Sequence, residues 1–390
     1  MKFRFTLPLL AVGAMHCLHA GEPVVTTSGK DAKAVAPAAP KEEFIYDKIW
    51  GMAVLYKNKD NPYIQELSLV GREHIDWFYF DADQGQDDDW VVRRTRIGLK
   101  ALMFENITVH VETDLNLQNP DPIYTKLTDA YIAWAPSKAF KLTVGKQSAK
   151  FTLEGWTSSN QLLTIDRSVI GTNIWFPEEY MPGVSISGEV GKWLYSVGYY
   201  SSGEATPEFG DFNAGSFGLV SIGYNFAEAL GADKAILRAD YLYQDPNAGN
   251  TFTRPNEQVG SVNFVYEKGR FGLSGDMSAS EGYLGQKDLF ALQILPSVYL
   301  NSSKTLQGVF RYTYMNSDGD NGIRLARYEN RIVSGRGDEY NEFYAGLNWY
   351  LYGHKLKLQT GVQYATMDDA ADDGGEYDGW GITTGLRISW

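Results

Sequence analysis

The feature that most constrains this chain is a period of two that runs through its central and C-terminal parts. Ile107, Val109, Val111, Leu115 and Leu117 alternate with Thr108, His110, Glu112, Asp114, Asn116 and Gln118, so an extended segment there has one apolar and one polar face. The alternation returns in Phe140, Leu142 and Val144 against Lys141 and Thr143, and in Val184 and Ile186 against Ser185, Ser187 and Glu189. It returns again in Phe343, Ala345, Leu347 and Trp349 against Glu342, Tyr344 and Asn348. At the end of the chain Trp380, Ile382, Thr384, Leu386, Ile388 and Trp390 oppose Gly381, Thr383, Gly385, Arg387 and Ser389. Half-buried strands of this kind suit a soluble sandwich or a membrane barrel. No run of about 18 apolar residues occurs, which excludes a transmembrane helix.

Connection lengths separate the two architectures. Turns such as Glu105-Asn106, Gly191-Lys192 and Gly353-His354 alternate with long segments such as Gln147–Tyr180, Asp245–Pro255 and Ser317–Asp338. A membrane barrel has this asymmetry because its strands cross the bilayer up and down, whereas a sandwich gives no reason for it. Counting back from Trp390 predicts an all-β transmembrane antiparallel β-barrel of about sixteen strands over 64–390, the first being Ile64–Phe80. Parity then assigns 44–63 to a short N-terminal periplasmic segment, a hairpin or tail. Trp134, Trp193, Tyr195, Tyr224, Phe226, Tyr266, Trp349 and Trp390 fall at strand ends beside short turns, where an interfacial girdle belongs.

The N-terminus reads as an export signal over 1–20. Lys2 and Arg4 precede an apolar stretch from Leu7 to Leu18, and Leu18-His19-Ala20 is a cleavage site. The only cysteine, Cys17, lies inside it, so the mature chain has neither disulfides nor thiolate sites. Residues 21–43, rich in Ala, Pro and Lys, read as a flexible linker. The formal net charge of -13 argues against nucleic acid. No cofactor and no metal site is expected: His74, His110 and His354 are too scattered for a metal motif, and no Gly-x-Ser-x-Gly elbow or phosphate loop is present. An enzyme is therefore not expected.

Several stretches resemble the phosphate-selective porin O and P family of Gram-negative bacteria: Val92-Arg93-Arg94-Thr95-Arg96-Ile97-Gly98, Glu112-Thr113-Asp114-Leu115, Leu127-Thr128-Asp129-Ala130-Tyr131 and Leu142-Thr143-Val144-Gly145-Lys146. The likeness continues through Leu153-Glu154-Gly155-Trp156-Thr157-Ser158-Ser159-Asn160 to Asp166-Arg167-Ser168. It implies a sixteen-stranded outer-membrane porin, a homotrimer, with the loop 147–180 folded into the lumen. It also implies a phosphate site that uses Arg93, Arg94, Asp114 and a lysine whose place here is taken by Gly155. The family's arginine ladder corresponds to Asp245–Pro255, where Arg254 stands alone.

With the polar phase of each strand turned inward, Arg94, Arg96 and Lys100 form a basic stripe beside Glu112 and Asp114. Lys146, Lys150 and Arg167 sit near or on the inward loop, so six basic groups face Glu112, Asp114, Glu154 and Asp166 at the narrowing. The expected function is passive diffusion of small hydrophilic solutes and ions with a weak preference for anions, phosphate included, but without a high-affinity phosphate site. Arg324, Arg327, Arg331 and Arg336 form a further basic cluster that could stand in for the missing ladder. Acidic clusters around Asp87 and Asp372 suit either a solvated mouth or cations bridging lipopolysaccharide. The alternative reading is an exported β-rich adhesin or glycan-binding outer-membrane protein. Its stacking aromatics should then cluster in loops, whereas here they sit on strands.

Overall fold

The computed structural model describes residues 44–176, 179–203 and 205–390. The expected signal peptide (1–20) and linker (21–43) lie outside the described residues. Ile49–Trp390 form one compact unit, and Phe44–Lys48 belong to another.

Helix α1 (Ile45–Gly51) is followed by β1 (Val54–Lys57), β2 (Ile64–Ala82), β3 (Gly85–Met103), β4 (Ile107–Leu115), β5 (Tyr124–Ser137) and β6 (Phe140–Ser148). A first long loop, 149–179, carries α2 (Thr152–Trp156) and α3 (Val169–Asn173). Then come β7 (Tyr180–Val190), β8 (Trp193–Ser201), β9 (Ser216–Asn225), α4 (Ala227–Leu230), β10 (Lys234–Gln244) and β11 (Asn256–Lys268). They are followed by β12 (Phe271–Gly282), β13 (Leu289–Tyr299) and β14 (Leu306–Ser317). A second long loop, 318–338, holds the two-residue strands β15 (Ile323–Arg324) and β16 (Arg336–Gly337). The chain ends with β17 (Glu339–Tyr352), β18 (Leu356–Asp368) and β19 (Tyr377–Ser389).

From β2 to β14 each strand pairs with the next, β14 pairs with β17, and β19 returns to β2. The result is a closed antiparallel ring of sixteen strands, as the alternation predicts. Trp390 completes the seam, exchanging two backbone hydrogen bonds with Gly71 at 3.1 and 3.3 Å. The segment 44–63 contains α1 and β1, and β1 pairs with the first turn-proximal residues of β2 (Val54 opposite Ser68). Short turns use left-handed glycines, Gly191 (φ 61°) and Gly269 (φ 62°), where a side chain would strain the backbone. The acidic cluster around Asp87 lies on a strand, Asp87–Asp89 in β3, because β2 and β3 extend as 19-residue strands joined only by Asp83 and Gln84.

The outward phase is apolar. Ile97, Leu99, Val111, Ile132 and Val144 are 42–56% exposed. In water each would forfeit much of the roughly 1.5–3 kcal/mol that burial returns. In hydrocarbon the penalty disappears, and closure of the ring satisfies every strand's backbone groups. Ring contacts near the short turns, such as Trp134 on Phe140 (5.7 Å) and Trp193 on Tyr224 (4.8 Å), form the expected girdle.

The lumen differs from a uniformly polar wall. Along each strand the inward phase changes chemistry: Asp240 is followed by Leu242, Asn263 faces in below Val259, and Arg311 and Thr313 are followed by Met315. The apolar positions lie toward the long loops. There they pack against Phe151, Ile170, Trp175 and Phe176 of the first loop and against Ile323, Leu325 and Val333 of the second. The hydrophobic core of this barrel is inside it, built by two loops that fold into the lumen.

Candidate pore constriction

Strict alternation would place Arg93 and Arg94 on opposite faces of β3. A β-bulge prevents this: His74 opposes Arg94 and Ile75 opposes Val92, which leaves Arg93 without a partner on β2. An extra residue in one strand re-aims the side chains beside it. Both guanidinium groups therefore reach the first inward loop, Arg93 to Asp166 at 3.3 Å and Arg94 to Glu179 at 3.4 Å. Arg96 lies 3.1 Å from Asp114, donates to the Tyr180 hydroxyl at 2.7 Å and stands 3.9 Å from Glu179. Arg72 of β2 joins from the other side, 3.3 Å from Glu112 and 2.7 Å from the Ser159 hydroxyl.

The loop that faces this row is held rigidly. Two wall carboxylates accept the first backbone N–H groups of α2: Asp240 from Thr152 at 3.0 Å and Asp276 from Leu153. On the opposite wall Lys357 donates to the carbonyl of Leu162, Arg387 to that of Ile165 and Arg311 to that of Asp166. These wall charges look lumenal in the sequence. In the structure they hold the loop.

Gly155 occupies the place of the family's lysine. A Cβ there would come within 2.6 Å of the Trp175 indole nitrogen, which itself donates to the Ala149 carbonyl. The indole fills the space a longer side chain would need. Arg167 stacks on the same ring at 4.5 Å and is 3.6 Å from Glu154.

Burial disfavours ionisation of Asp166, yet Arg93, Arg327 and Arg94 hold its carboxyl far below the usual carboxylate range. Glu179 behaves likewise: burial opposes its charge, and Arg94, Arg167 and Arg96 lower its pKa strongly. Both acids therefore carry full charge at any pH in which the protein works. Glu179 also adopts a left-handed backbone (φ 56°), unusual for a residue with a side chain, which its two arginine partners hold in place.

Among the expected residues, Arg93, Arg94, Arg96, Glu112, Asp114 and Arg167 are brought into one network. Lys100 is not. It lies two inward positions beyond Arg96, is exposed, and has Glu66 and Lys141 as electrostatic neighbours toward the short-turn end. Lys150 is exposed at the start of the loop, 6.0 Å above the Trp156 ring. Lys146 is covered by the loop 202–215, where its amine donates to the Glu208 carbonyl, with Phe252 at 5.4 Å. Three partners went unnoticed in the sequence: Arg72, Glu179 and Trp175. The strand phase that placed Arg94 also places Arg72, but nothing local marks the other two.

A family model described as phosphate-selective porin O and P matches residues 68–254. No curated protein sequence matches the chain. Among solved structures it resembles the anion-selective porin from Comamonas acidovorans (TM-score 0.59, 12% identity, 83% of this chain and 99% of that one). It also resembles OmpT of Vibrio cholerae (TM-score 0.55, 13% identity, 86% and 100%) and the outer membrane channel DcaP of Acinetobacter baumannii (TM-score 0.55, 14% identity, 86% and 100%). At such identities these likenesses speak for the fold, and the matched region contains the whole arginine row and the first inward loop. Over residues 68–254 the chain matches the phosphate-selective porin O and P family, and that match together with the sixteen-stranded barrel points to a bacterial outer-membrane porin for passive diffusion, a channel rather than an enzyme.

Proposed function

We propose that the pore passes small hydrophilic solutes with a weak preference for anions and holds no high-affinity phosphate site. One observation carries this reading: the constriction has nearly equal charge of both signs. Arg72, Arg93, Arg94, Arg96, Arg167 and Arg327 stand against Glu112, Asp114, Glu154, Asp166 and Glu179, each arginine within ion-pair distance of an acid. Six cations against five anions leave an excess of one. A permeating ion sheds part of its hydration at such a narrowing, so the sign of that excess biases passage. Phosphate finds no free cluster of donors, because the guanidinium groups are already engaged and Trp175 fills the lysine's place. Lys100, Lys141 and Lys150 add positive charge on the short-turn side of the arginine row.

The rest of the reading follows the family. Residues 1–20 act as an export signal, 21–43 as a linker and 44–63 as a periplasmic segment. The barrel assembles as a homotrimer among outer-membrane lipid and lipopolysaccharide. The test of selectivity is the zero-current potential of the purified protein in a planar bilayer under a KCl gradient. Wild type should show mild anion preference, and Arg94→Ala with Arg96→Ala should move it toward cations. Strong cation selectivity in the wild type, or a sharp block of chloride current by millimolar phosphate, is incompatible with this reading.

A further inference from the structure

The second loop, 318–338, enters the lumen as a small hairpin whose stem is β15 paired with β16. Its tip is fixed at three points. Tyr328 stacks on Phe78 at 4.4 Å and donates to Asp76 at 2.7 Å. Glu329, fully buried, accepts from the Tyr340 hydroxyl at 2.9 Å and from Gln363 at 2.6 Å. Arg331 pairs with Asp87 at the end of the β2–β3 hairpin. Between these anchors the four arginines of the loop meet different fates. Arg331 is engaged at the rim, Arg336 donates to the Gln286 side chain at 3.1 Å, and the Arg324 backbone is clamped to Asn173. Only Arg327 reaches the constriction, 3.1 Å from Asp166.

Asp166 is thus shared by two guanidinium groups, Arg93 from the wall and Arg327 from the loop. One carboxylate cannot neutralise both. The side chain of Arg93 is 14% exposed and that of Arg327 is 48% exposed, so the unbalanced charge is presented to the path by Arg327. Subtracting it leaves five arginines against five acids. We propose that Arg327 determines the sign of the pore's selectivity, and that the second inward loop is a part of the filter. Its guanidinium, held on one edge by Asp166, offers its other N–H groups to a passing small monovalent anion. Such contact is strong enough to bias entry and weak enough to permit exit.

The proposal rests on the anion preference argued above, and the same bilayer measurement tests both. Arg327→Gln should abolish the anion preference, Arg327→Lys should retain it, and Arg336→Gln, the same charge change in the stem of the same loop and outside its three anchors, should leave it unchanged. Asp166→Asn adds one positive charge from the other side and should strengthen it, which keeps the test decisive if Arg327→Gln fails to assemble. A wild-type potential in Arg327→Gln alongside a shifted one in Arg94→Ala/Arg96→Ala overturns the role of Arg327 and leaves the constriction reading intact. An Asp166→Asn protein with wild-type potential overturns it equally. A cation-selective wild type removes the broader reading first.

Discussion

The two inward loops fill the same lumen by different physics. The loop 149–179 is held by its backbone: wall side chains such as Lys357, Arg387 and Arg311 donate to its carbonyl groups, and Asp240 and Asp276 accept from its N–H groups. The loop 318–338 is held by its own side chains, Tyr328, Glu329 and Arg331. A backbone-anchored loop tolerates change in its own sequence as long as the wall is intact. A side-chain-anchored loop depends on a few residues, and one of these is a buried acid that can titrate. The first loop should therefore behave as permanent structure and the second as a part whose docking responds to conditions.

The largest effect is expected where both loops meet one residue. Arg311 makes a two-pronged ion pair with Glu342 at 2.8 and 3.2 Å, and also donates to the Thr164 hydroxyl and the Asp166 carbonyl. Arg311→Ala leaves the Glu342 carboxyl fully buried beside Glu329 without its partner, and removing one member of a buried pair typically costs about 3–5 kcal/mol. Both loops should loosen together. Thermal unfolding followed by heat-modifiable gel mobility should show a fall of that order, with enlarged current noise. Noise confined to one loop's signature, with unchanged stability, would mean that the loops are anchored independently.

A smaller effect should reach the first loop alone. Gly155→Lys restores the family's residue type, but its Cβ meets the Trp175 indole at 2.6 Å. Forcing atoms into a packed site costs about 1–3 kcal/mol. The variant should be less stable by that amount and gain no phosphate block of chloride current. Appearance of such a block would show that Trp175 yields easily and that glycine alone explains the absence of a phosphate site.

The same contrast explains what the sequence revealed. Strand rhythm, ring size and the alternation of short and long connections are local signals, because each strand's outward phase must be apolar for itself. The first inward loop came from a resemblance that covers its residues. Inward aim of both Arg93 and Arg94 depends on a bulge against β2, which a single strand cannot reveal. The filling of Gly155's space by Trp175, twenty residues onward, is equally non-local. For the second loop the sequence offered only the cluster Arg324, Arg327, Arg331 and Arg336 as a stand-in for the missing ladder, with nothing said of its fold. Yet Ile323, Leu325, Tyr328, Ile332 and Val333 in one connection were a legible sign of burial, since a loop outside the membrane has no reason to carry five such residues.

The smallest effect, and the most specific to the second loop, is its dependence on pH. Burial, and then the nearby Glu342, push the Glu329 carboxyl up from 4.5 to about 7, while the Tyr340 hydroxyl and the Ala326 N–H partly stabilise the charge. Arg311 of β14 also favours the ionised form, Gln363 of β18 donates to it, and Tyr377 of β19 lies near it without charge. An undocked loop would expose this carboxyl to water, with its pKa near the ordinary 4.5. The docked loop therefore binds the proton more tightly than the undocked one, so docking is fullest below pH 4.5 and weakens as pH rises toward 7. Above 7 both states are ionised and no further loss follows. Limited proteolysis at Arg331 or Arg336 by trypsin, compared at pH 5.5 and pH 8 after correction for the enzyme's own pH response on a denatured control, should be several-fold faster at the higher pH. Glu329→Gln keeps the Gln363 and Tyr340 contacts but carries no charge, and should remove the pH dependence while leaving cleavage slow at pH 8. Equal pH dependence in wild type and Glu329→Gln would place the titrating group elsewhere and would end the distinction between a permanent loop and a responsive one.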